Sequence, residues 1–569
     1  MKKKYVINLE KQDLFEYIII TLILLIYCRA LFLPLWDKDA AHHANIALNM
    51  YQNNNYTNLI DRGEDYLDKP HFLFWLALIS YKIFGVTSFA YRLPALLFSL
   101  LSIFSTYKLT RYLSDKTTAK IAALILATAQ SFVLSIMDAR MEAPLTGAII
   151  FGTWQLVLYI DKRRFIHLVL GALGAAAAFS TKGWIGPVII FSPCFFKILL
   201  EKKWRTLTVF KTWLFFPLFL LFITPVLYAY YVQYDLHPEK IIRGMTHISG
   251  VKFILWNQNF ERFGGENWSQ GGRNSDYFFF YHTFLWAFLP WCIAAYLALF
   301  YWLRRMFFKK KWKHPFNFAA LGFAFVLFTI SFSNFKMPHY IIMLFPLAAV
   351  FTAPYLRLSL SCKTGVKIFY SLQVFLAVGI SVLTIILNFY YFPPQNILTG
   401  IIGSVLIVLL VALIFRKHLY KGLRVLLVSA FTSIVFNFFL NFNFIPQLME
   451  YQGGNKLADM IHDKKINIPN DDILLLESSA HSFDFYMGYN HKVVDINKLQ
   501  ELYPSAKDKY FLLTSGMARE LEAKGFEVKP EFTHVDYNVT TIKLKFLNAH
   551  TRLQQCDSLM LAHIYRVKK

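Results

Sequence analysis

Trp36-Asp37-Lys38-Asp39-Ala40-Ala41-His42-His43-Ala44 follows directly on an apolar run over residues 16–36. This junction decides the fold. The run is long enough to cross a bilayer, whose hydrocarbon core takes about 20 apolar residues of helix. Two carboxylates then stand at the mouth of a membrane bundle. Charge near a bilayer is costly unless it is hydrated or used, so acids held there mark a site. Working outward, most of the chain reads as the scaffold that carries this loop.

The 569 residues are 56% hydrophobic and include 57 Phe, with a mean hydropathy of +0.40. Apolar runs recur over 16–36, 91–111, 118–137, 143–160, 166–180, 184–200, 212–232, 277–302, 316–334, 340–356, 368–391, 397–415 and 423–441. Each approaches a membrane-spanning length. The fold class is therefore a polytopic α-helical membrane protein with about thirteen transmembrane helices. The formal net charge is +24. Its cations gather in alternate short loops: Lys2 to Lys4, Lys108 to Lys120, Lys162 to Arg164, Lys202 to Arg205, Arg304 to Lys313, Arg357 to Lys367, and Arg416 to Arg424. With thirteen spans all of these fall on one side, as the positive-inside rule requires. The N-terminus is then cytoplasmic, and membrane lipids rather than nucleic acid are the partners of the basic loops. Cys28, Cys194, Cys292, Cys362 and Cys556 are isolated, which gives neither a disulfide framework nor a zinc motif. No small-residue cleavage site follows the first apolar run, which reads as a retained span.

The membrane domain is placed at 1–441. On its outer side lie a first loop, 37–90, with interfacial helices, and a large loop, 233–276. The tail, 442–569, changes character. Ile473–Leu476, Lys492–Asp495, Tyr510–Leu513 and Thr541–Leu544 are expected as strands, and Leu457–Asp463 and Met517–Lys524 as helices. Such alternation predicts a small soluble α/β domain on the non-cytoplasmic side. No glycine-rich phosphate loop opens its helices, so it is given no catalytic role.

Five outer stretches carry charge. Asp37, Asp39, His42 and His43 open the first loop, and Asp39 is also a fitting helix N-cap. Tyr66-Leu67-Asp68-Lys69-Pro70-His71 places Lys69 beside a helix that Pro70 can open, where a lysine attracts a lipid phosphate. Met137-Asp138-Ala139-Arg140-Met141-Glu142 places Glu142 at a helix start, within reach of Arg140. Ser180-Thr181-Lys182-Gly183 and Asn334-Phe335-Lys336-Met337-Pro338-His339-Tyr340 add two cations on the same side. Carboxylates beside lysines suit a reaction in which a base activates a hydroxyl and cations neutralise a departing phosphate. Neighbouring histidines on a helix point apart, so His42 and His43 are expected to be interfacial polar residues rather than zinc ligands.

These stretches resemble the GT-C type glycosyltransferases, in particular the aminoarabinose (lipid A) transferase and protein O-mannosyltransferase (dolichyl-phosphate-mannose-protein mannosyltransferase) group. That group reads Asp-Glu-Ala-Arg-Tyr-Ala-Glu-Ile-Ala after its first span, and here the stretch is Asp39-Ala40-Ala41-His42-His43-Ala44-Asn45-Ile46-Ala47. Its other short motifs match Asp68-Lys69-Pro70, Lys182-Gly183 and Lys336-Met337-Pro338-His339-Tyr340. Asn259-Phe260-Glu261-Arg262-Phe263, with Phe288-Leu289-Pro290-Trp291 downstream, is similar to the large outer loop and the next span. The resemblance implies a polyprenyl-phosphate-linked sugar donor, a lipid or protein acceptor, and transfer with inversion on the periplasmic face of a bacterial inner membrane. It implies Asp39 as catalytic carboxylate and Glu142 in the second acidic position, where the group usually has Asp. Lys69, Lys182, Lys336 and Tyr340 are expected at the donor phosphate. Asp37, His42, His43, Arg140, Glu261 and Arg262 are expected to shape the site or the acceptor side. Ala40 stands where the group has Glu. No cofactor is expected, although Asp37-Lys38-Asp39 has the Asp-x-Asp spacing with which related oligosaccharyl transferases hold a divalent metal, and two carboxylates could hold Mg²⁺ or Mn²⁺ with waters. The alternatives are a secondary transporter, which would place ionisable groups near mid-membrane in repeated halves, and a surface-glycan polymerase or ligase using a pyrophosphate-linked donor.

Overall fold

The computed structural model describes residues 13–242, 244–258, 275–416, 419–464, 468–477, 479–499 and 508–566. Helix dominates. Among the described residues eight helices are long and apolar enough to cross a membrane, and a ninth forms if Lys116–Ala127 and Gln130–Asp138, bent by 55°, count together. Each of the thirteen expected runs is helical, but the count is not matched by thirteen unbroken spans. The first helix, Asp13–Ala30, carries Asp13, Glu16 and Arg29. The run 277–302 is two helices, Phe279–Ala287 and Cys292–Phe307, parted around Pro290. Asn317–Ser331 has 15 residues, about 22 Å of helix, short of a bilayer core. The last span, expected over 423–441, continues through Leu440–Phe444 to Met449.

Burial sorts the helices. The window within Glu142–Lys162 is 89% buried, whereas that within Ile397–Phe415, an almost wholly aliphatic helix, is 22% buried. The inner helix is enclosed because small residues let its neighbours approach. A Cβ added to Gly174 would lie 2.7 Å from the Cα of Gly152, so the helices Glu142–Lys162 and Phe165–Lys182 meet nearly backbone to backbone.

The first outer loop folds as a π-helical turn, Asp37–Ala41, running straight into the helix His42–Gln52. A two-stranded hairpin (β1 Ile60–Asp61, β2 Glu64–Asp65) follows, then the apolar helix Phe72–Phe84, whose 13 residues are too few to span. Pro70 does not open that helix. His71 stands at its N-cap, and the helix begins at Phe72.

The tail is the expected α/β domain. Its strands are β3 Ile473–Leu475, β4 Lys492–Val493, β5 Tyr510–Thr514, β6 Phe526–Asp536 and β7 Asp557–Arg566, in the order β4-β3-β5-β7-β6. β3 runs parallel to β4 and β5, and β7 antiparallel to β5 and β6. The expected strand Thr541–Leu544 does not form. Tyr537 holds that segment as a loop: its hydroxyl donates to Thr541 O (3.0 Å) and accepts from Lys543 N (2.9 Å), and its ring stacks on Phe546 at 3.8 Å. The two longest strands escape sequence reading. β6 is rich in charge and holds Pro530, tolerated because β6 is an edge strand with a register shift at that point.

Candidate active site

Local backbone sets the charged residues on their stations. Ala139 adopts a left-handed conformation (φ +48°) that ends the helix Gln130–Asp138 and turns the chain sharply into Glu142–Lys162. The Arg140 guanidinium then reaches two carboxylates, Asp138 Oδ2 at 2.6 Å and Asp39 Oδ2 at 2.8 Å. Its Nη1 also lies 3.3 Å from His339 Nδ1. The His339 Nε2 is 3.6 Å from Glu142 Oε1, and Glu142 Oε1 accepts from Lys182 Nζ at 2.7 Å. Lys182 in turn sits 3.8 Å over the Tyr340 ring. Five expected site residues, Asp39, Arg140, Glu142, Lys182 and Tyr340, thus belong to one connected ionic network.

Exposure separates the two acids. Asp39 leaves 44% of its side chain open, while Glu142 leaves 5%. Burial works against the Arg140 charge, but Asp138, Asp39 and Glu142 outweigh it and raise its pKa above the usual range. The guanidinium is a permanent cation that fixes the open carboxylate. Asp39 does not act as an N-cap: it lies within the π-helical turn that continues into the next helix, and its carboxylate is turned to Arg140.

The histidines also depart from expectation. Their rings do not point apart; they lie near-parallel with centroids 5.5 Å apart. Tyr66 gathers them, edge-on to both, with its hydroxyl 3.3 Å from His43 Nε2. Burial, and then the neighbouring His42, push the His43 pKa down to about 3. His42 Nε2 sits 2.8 Å from Asp61 Oδ2. Burial alone would raise the Asp61 pKa, but the His42 hydrogen bond and charge hold it below the usual carboxylate range. Lys69 is ion-paired with Asp68 at 2.8 Å, and both charges act on His43, as does Asp39. Lys336 belongs to the same segment as His339 and Tyr340, but its ammonium donates to Asp276 O (2.8 Å) beside the Tyr277 ring. Glu261 and Arg262 lie outside the described residues.

Asp37 has a different task from Asp39. Its Oδ1 accepts from Ser482 N at 2.6 Å, at the start of the tail-domain helix His481–Met487, and burial pushes its pKa up to about 7 against the pull of that hydrogen bond. The two carboxylates of Asp37-Lys38-Asp39 therefore serve separate partners, Ser482 and Arg140. Among the described residues no group of three or more His, Cys, Asp or Glu is arranged to hold a metal.

Sequence reading missed the residues that brace the loop. Arg92, fully buried, donates to Met137 O (2.6 Å), Pro34 O (2.8 Å) and Leu33 O, tying the exit of the first helix to the Asp138 turn. An arginine at the outer start of an apolar run, away from the basic loops, was the available signal. From the tail, Gln452 donates to Leu35 O (2.8 Å) and accepts from Asp37 N (3.1 Å). Tyr486 Oη accepts from Leu35 N (3.0 Å), Arg62 Nε pairs with Asp484 Oδ2 (2.6 Å), and the His481 ring stacks on His42 at 4.5 Å. The tail domain, expected to have no catalytic role, grips the first outer loop around Asp37. Nothing local in the sequence announces contacts across more than 400 residues.

The model of the dolichyl-phosphate-mannose-protein mannosyltransferase family matches residues 68–229, which include Lys69, Arg140, Glu142 and Lys182 but not Asp39. A functionally uncharacterized protein of Aquifex aeolicus (strain VF5) is 25% identical over 476 residues, 83% of this chain and 86% of the relative. The undecaprenyl phosphate-alpha-4-amino-4-deoxy-L-arabinose arabinosyl transferase of Pseudomonas aeruginosa (strain UCBPP-PA14) is 25% identical over 323 residues, 55% of this chain and 54% of the relative. The chain thus matches about half the length of that transferase. The crystal structure of ArnT from Cupriavidus metallidurans bound to undecaprenyl phosphate superposes with a TM-score of 0.73 at 15% identity, covering 96% of this chain and 98% of that one. The fold is that of the GT-C type membrane glycosyltransferases. Within that class the chain resembles the aminoarabinose transferases and the protein mannosyltransferases.

Proposed function

We propose that this chain is an integral-membrane glycosyltransferase that moves a sugar from a polyprenyl-phosphate-linked donor to a lipid A-like acceptor. The observation that carries the reading is the open carboxylate of Asp39, held at 2.8 Å by an arginine that is itself pinned by Asp138. In the proposed step an acceptor oxygen bonds to the anomeric carbon as the bond from that carbon to the phosphate oxygen breaks, with inversion. Asp39 takes the acceptor proton, and the polyprenyl phosphate leaves with the bonding pair. Lys69, Lys336 and Lys182 offer positive charge on the side of the departing phosphate. Glu142, enclosed and paired, positions Lys182 and His339 rather than meeting substrate. The reaction is proposed to use no resident metal, because Asp37 and Asp39 are committed to Ser482 and Arg140. The site is assigned to the periplasmic face of a bacterial inner membrane, with a cytoplasmic N-terminus and a periplasmic tail domain, on the strength of the basic loops at the other end of the helices.

The test uses purified protein in nanodiscs, undecaprenyl-phosphate-linked aminoarabinose as donor and lipid A as acceptor. Transfer is expected, and Asp39→Asn should lower its rate by about 10³-fold with the thermal transition unchanged. Wild-type rates in the Asn variant would overturn the role of Asp39. Transfer only from a pyrophosphate-linked oligosaccharide would favour the polymerase or ligase reading.

A further inference from the structure

At the end of the bundle opposite Asp39, a basin of about 610 Å³ opens between the C-terminus of the helix Ile185–Glu201 and the loop 308–316. Five cations border it: Lys202, Arg305, Lys310, Lys311 and Lys313. Two acids at this end of the bundle are already taken. Asp161 and Glu201 are paired with Lys197 and Lys203, with Lys197 Nζ at 3.2 and 2.7 Å. None of the five bordering cations makes an ion pair among the described residues. The Nε of Arg305 is enclosed with no hydrogen-bond partner there.

The loop is a built structure rather than a loose basic tether. Asn317, fully buried, donates its amide to Lys311 O (3.0 Å) and Trp312 O (2.7 Å). Lys311 N donates to Arg305 O (3.2 Å), and the His314 ring lies 4.5 Å from that of Trp302. The two walls are locked together lower down, where a Cβ on Gly322 would come within 2.9 Å of Pro193. Apolar surface continues the basin: Leu199 lies 40% exposed in its floor, Trp312 38% exposed on its wall, and Phe308 83% exposed beside it. A soluble polyanion gains nothing from such surface. A ligand with an anionic head and a hydrocarbon tail uses both parts, since basic pockets between membrane helices recognise charged lipid heads while apolar side chains meet the chains.

We propose that this basin binds one anionic phospholipid, its headgroup phosphate among the five cations and its first acyl segment against Leu199, Trp312 and Phe308. The leaflet is the cytoplasmic one, a point that rests on the topology proposed above; the binding chemistry does not. The test reconstitutes the full chain in nanodiscs of mixed phosphatidylcholine and phosphatidylglycerol, extracts it into mild detergent, and counts retained lipid by native mass spectrometry. Wild type should retain phosphatidylglycerol over phosphatidylcholine. The triple variant Lys310→Gln, Lys311→Gln, Lys313→Gln should retain about tenfold less, and Lys363→Gln with Lys367→Gln, in a different basic loop, should retain it like wild type. Equal retention in all three proteins, or equal loss from both variants, overturns the basin as a site. Displacement by inorganic phosphate at constant ionic strength, with no preference among lipids, overturns the lipid and leaves a free-anion pocket. Separately, Trp312→Cys in a Cys28→Ser, Cys362→Ser, Cys556→Ser background, which removes every thiol that is not buried, should react with a membrane-impermeant maleimide only after cells are opened. Labelling of intact cells would overturn the topology while leaving the retention result to stand or fall by itself.

Discussion

The two ends of the helix bundle are both crowded with charge, and the Asp39 loop at one end and the basin beside the loop 308–316 at the other use it in opposite ways. At the Asp39 end, acids and bases alternate and neutralise one another: Asp138, Arg140 and Asp39 form one string, Glu142 holds Lys182, and Arg62 holds Asp484. At the other end Lys202, Arg305, Lys310, Lys311 and Lys313 face a basin with no acid partner among the described residues. Burial explains the contrast. A desolvated charge needs a counter-charge at contact distance, because solvation lost on burial costs several kcal/mol per ion. A charge at the rim of a membrane keeps its water and can wait for a lipid. The paired end is therefore where removing one partner should be felt, and Arg140 is its keystone. Arg140→Met would leave Asp39 and Asp138 facing each other without a cation. Transfer should fall by about 10³-fold, measured as initial rate with the polyprenyl-phosphate-linked donor. A loss under tenfold would show that Asp39 is oriented by something else.

The next effect in size concerns the grip of the tail domain. Arg62 and Asp484 expose 6% and 0% of their side chains, and His491 Nδ1 holds the other Asp484 oxygen at 2.7 Å. Arg62→Met leaves a buried carboxylate with one partner in place of two, which should cost about 3 kcal/mol. The expected readout is a lower thermal transition and faster proteolysis at the junction near Gln452. Transfer should fall with it, because the same domain holds Leu35 and Asp37 in place. Intact activity in a variant whose domain has come loose would show that the loop keeps its shape unaided.

How much of this was legible in the sequence follows the same division. The helices were readable, because an apolar run of fixed length has one structural solution in a bilayer. The site motifs were readable as a set, because alternation of basic loops put them on one side, and Glu142 and Lys182 do meet. The partner of Asp39 was harder: Arg140 was in view, but that it reaches across to Asp39 depends on the left-handed turn at Ala139, a residue type that gives no hint of such a conformation. Lys336 was in view, but that its ammonium donates to Asp276 O was not. The domain contacts were not readable at all. Gln452, His481 and Ser482 are ordinary residues of a polar tail, and only the folded chain brings them to Leu35, His42 and Asp37.

A smaller effect is expected inside the ionic network. Glu142→Gln keeps an acceptor for Lys182 but removes the charge that holds it and His339. Lys182 is then drawn less firmly to its place over Tyr340, and transfer should drop about thirtyfold, or about 2 kcal/mol. The split between kcat and KM sharpens the comparison. A positioning role lowers kcat with little change in KM for the donor, whereas a direct contact with the donor phosphate raises KM.

The smallest effect tests whether the second acid of the Asp-x-Asp pair is structural. The Asp37 carboxyl has its pKa raised from 3.8 to about 7, chiefly by burial. A folded state with the higher pKa holds its proton where the unfolded chain has already lost it. That contribution is complete below about pH 4 and is lost as pH rises to about 7. The wild-type thermal transition, taken relative to that of Asp37→Asn at each pH, should therefore decline over this window. Asp37→Asn keeps an oxygen to accept from Ser482 N and cannot ionise, while His43 and the other titrating groups move both proteins alike, so the difference between the two profiles isolates Asp37. At neutral pH the two proteins should differ little in transfer, because Asp37 faces the tail helix and Asp39 is the carboxylate proposed to meet the acceptor. If Asp37→Asn instead abolished transfer, and the wild-type rate depended on added Mg²⁺ or Mn²⁺, the pair would have to act together on a metal, and the division of labour between the two carboxylates would fall.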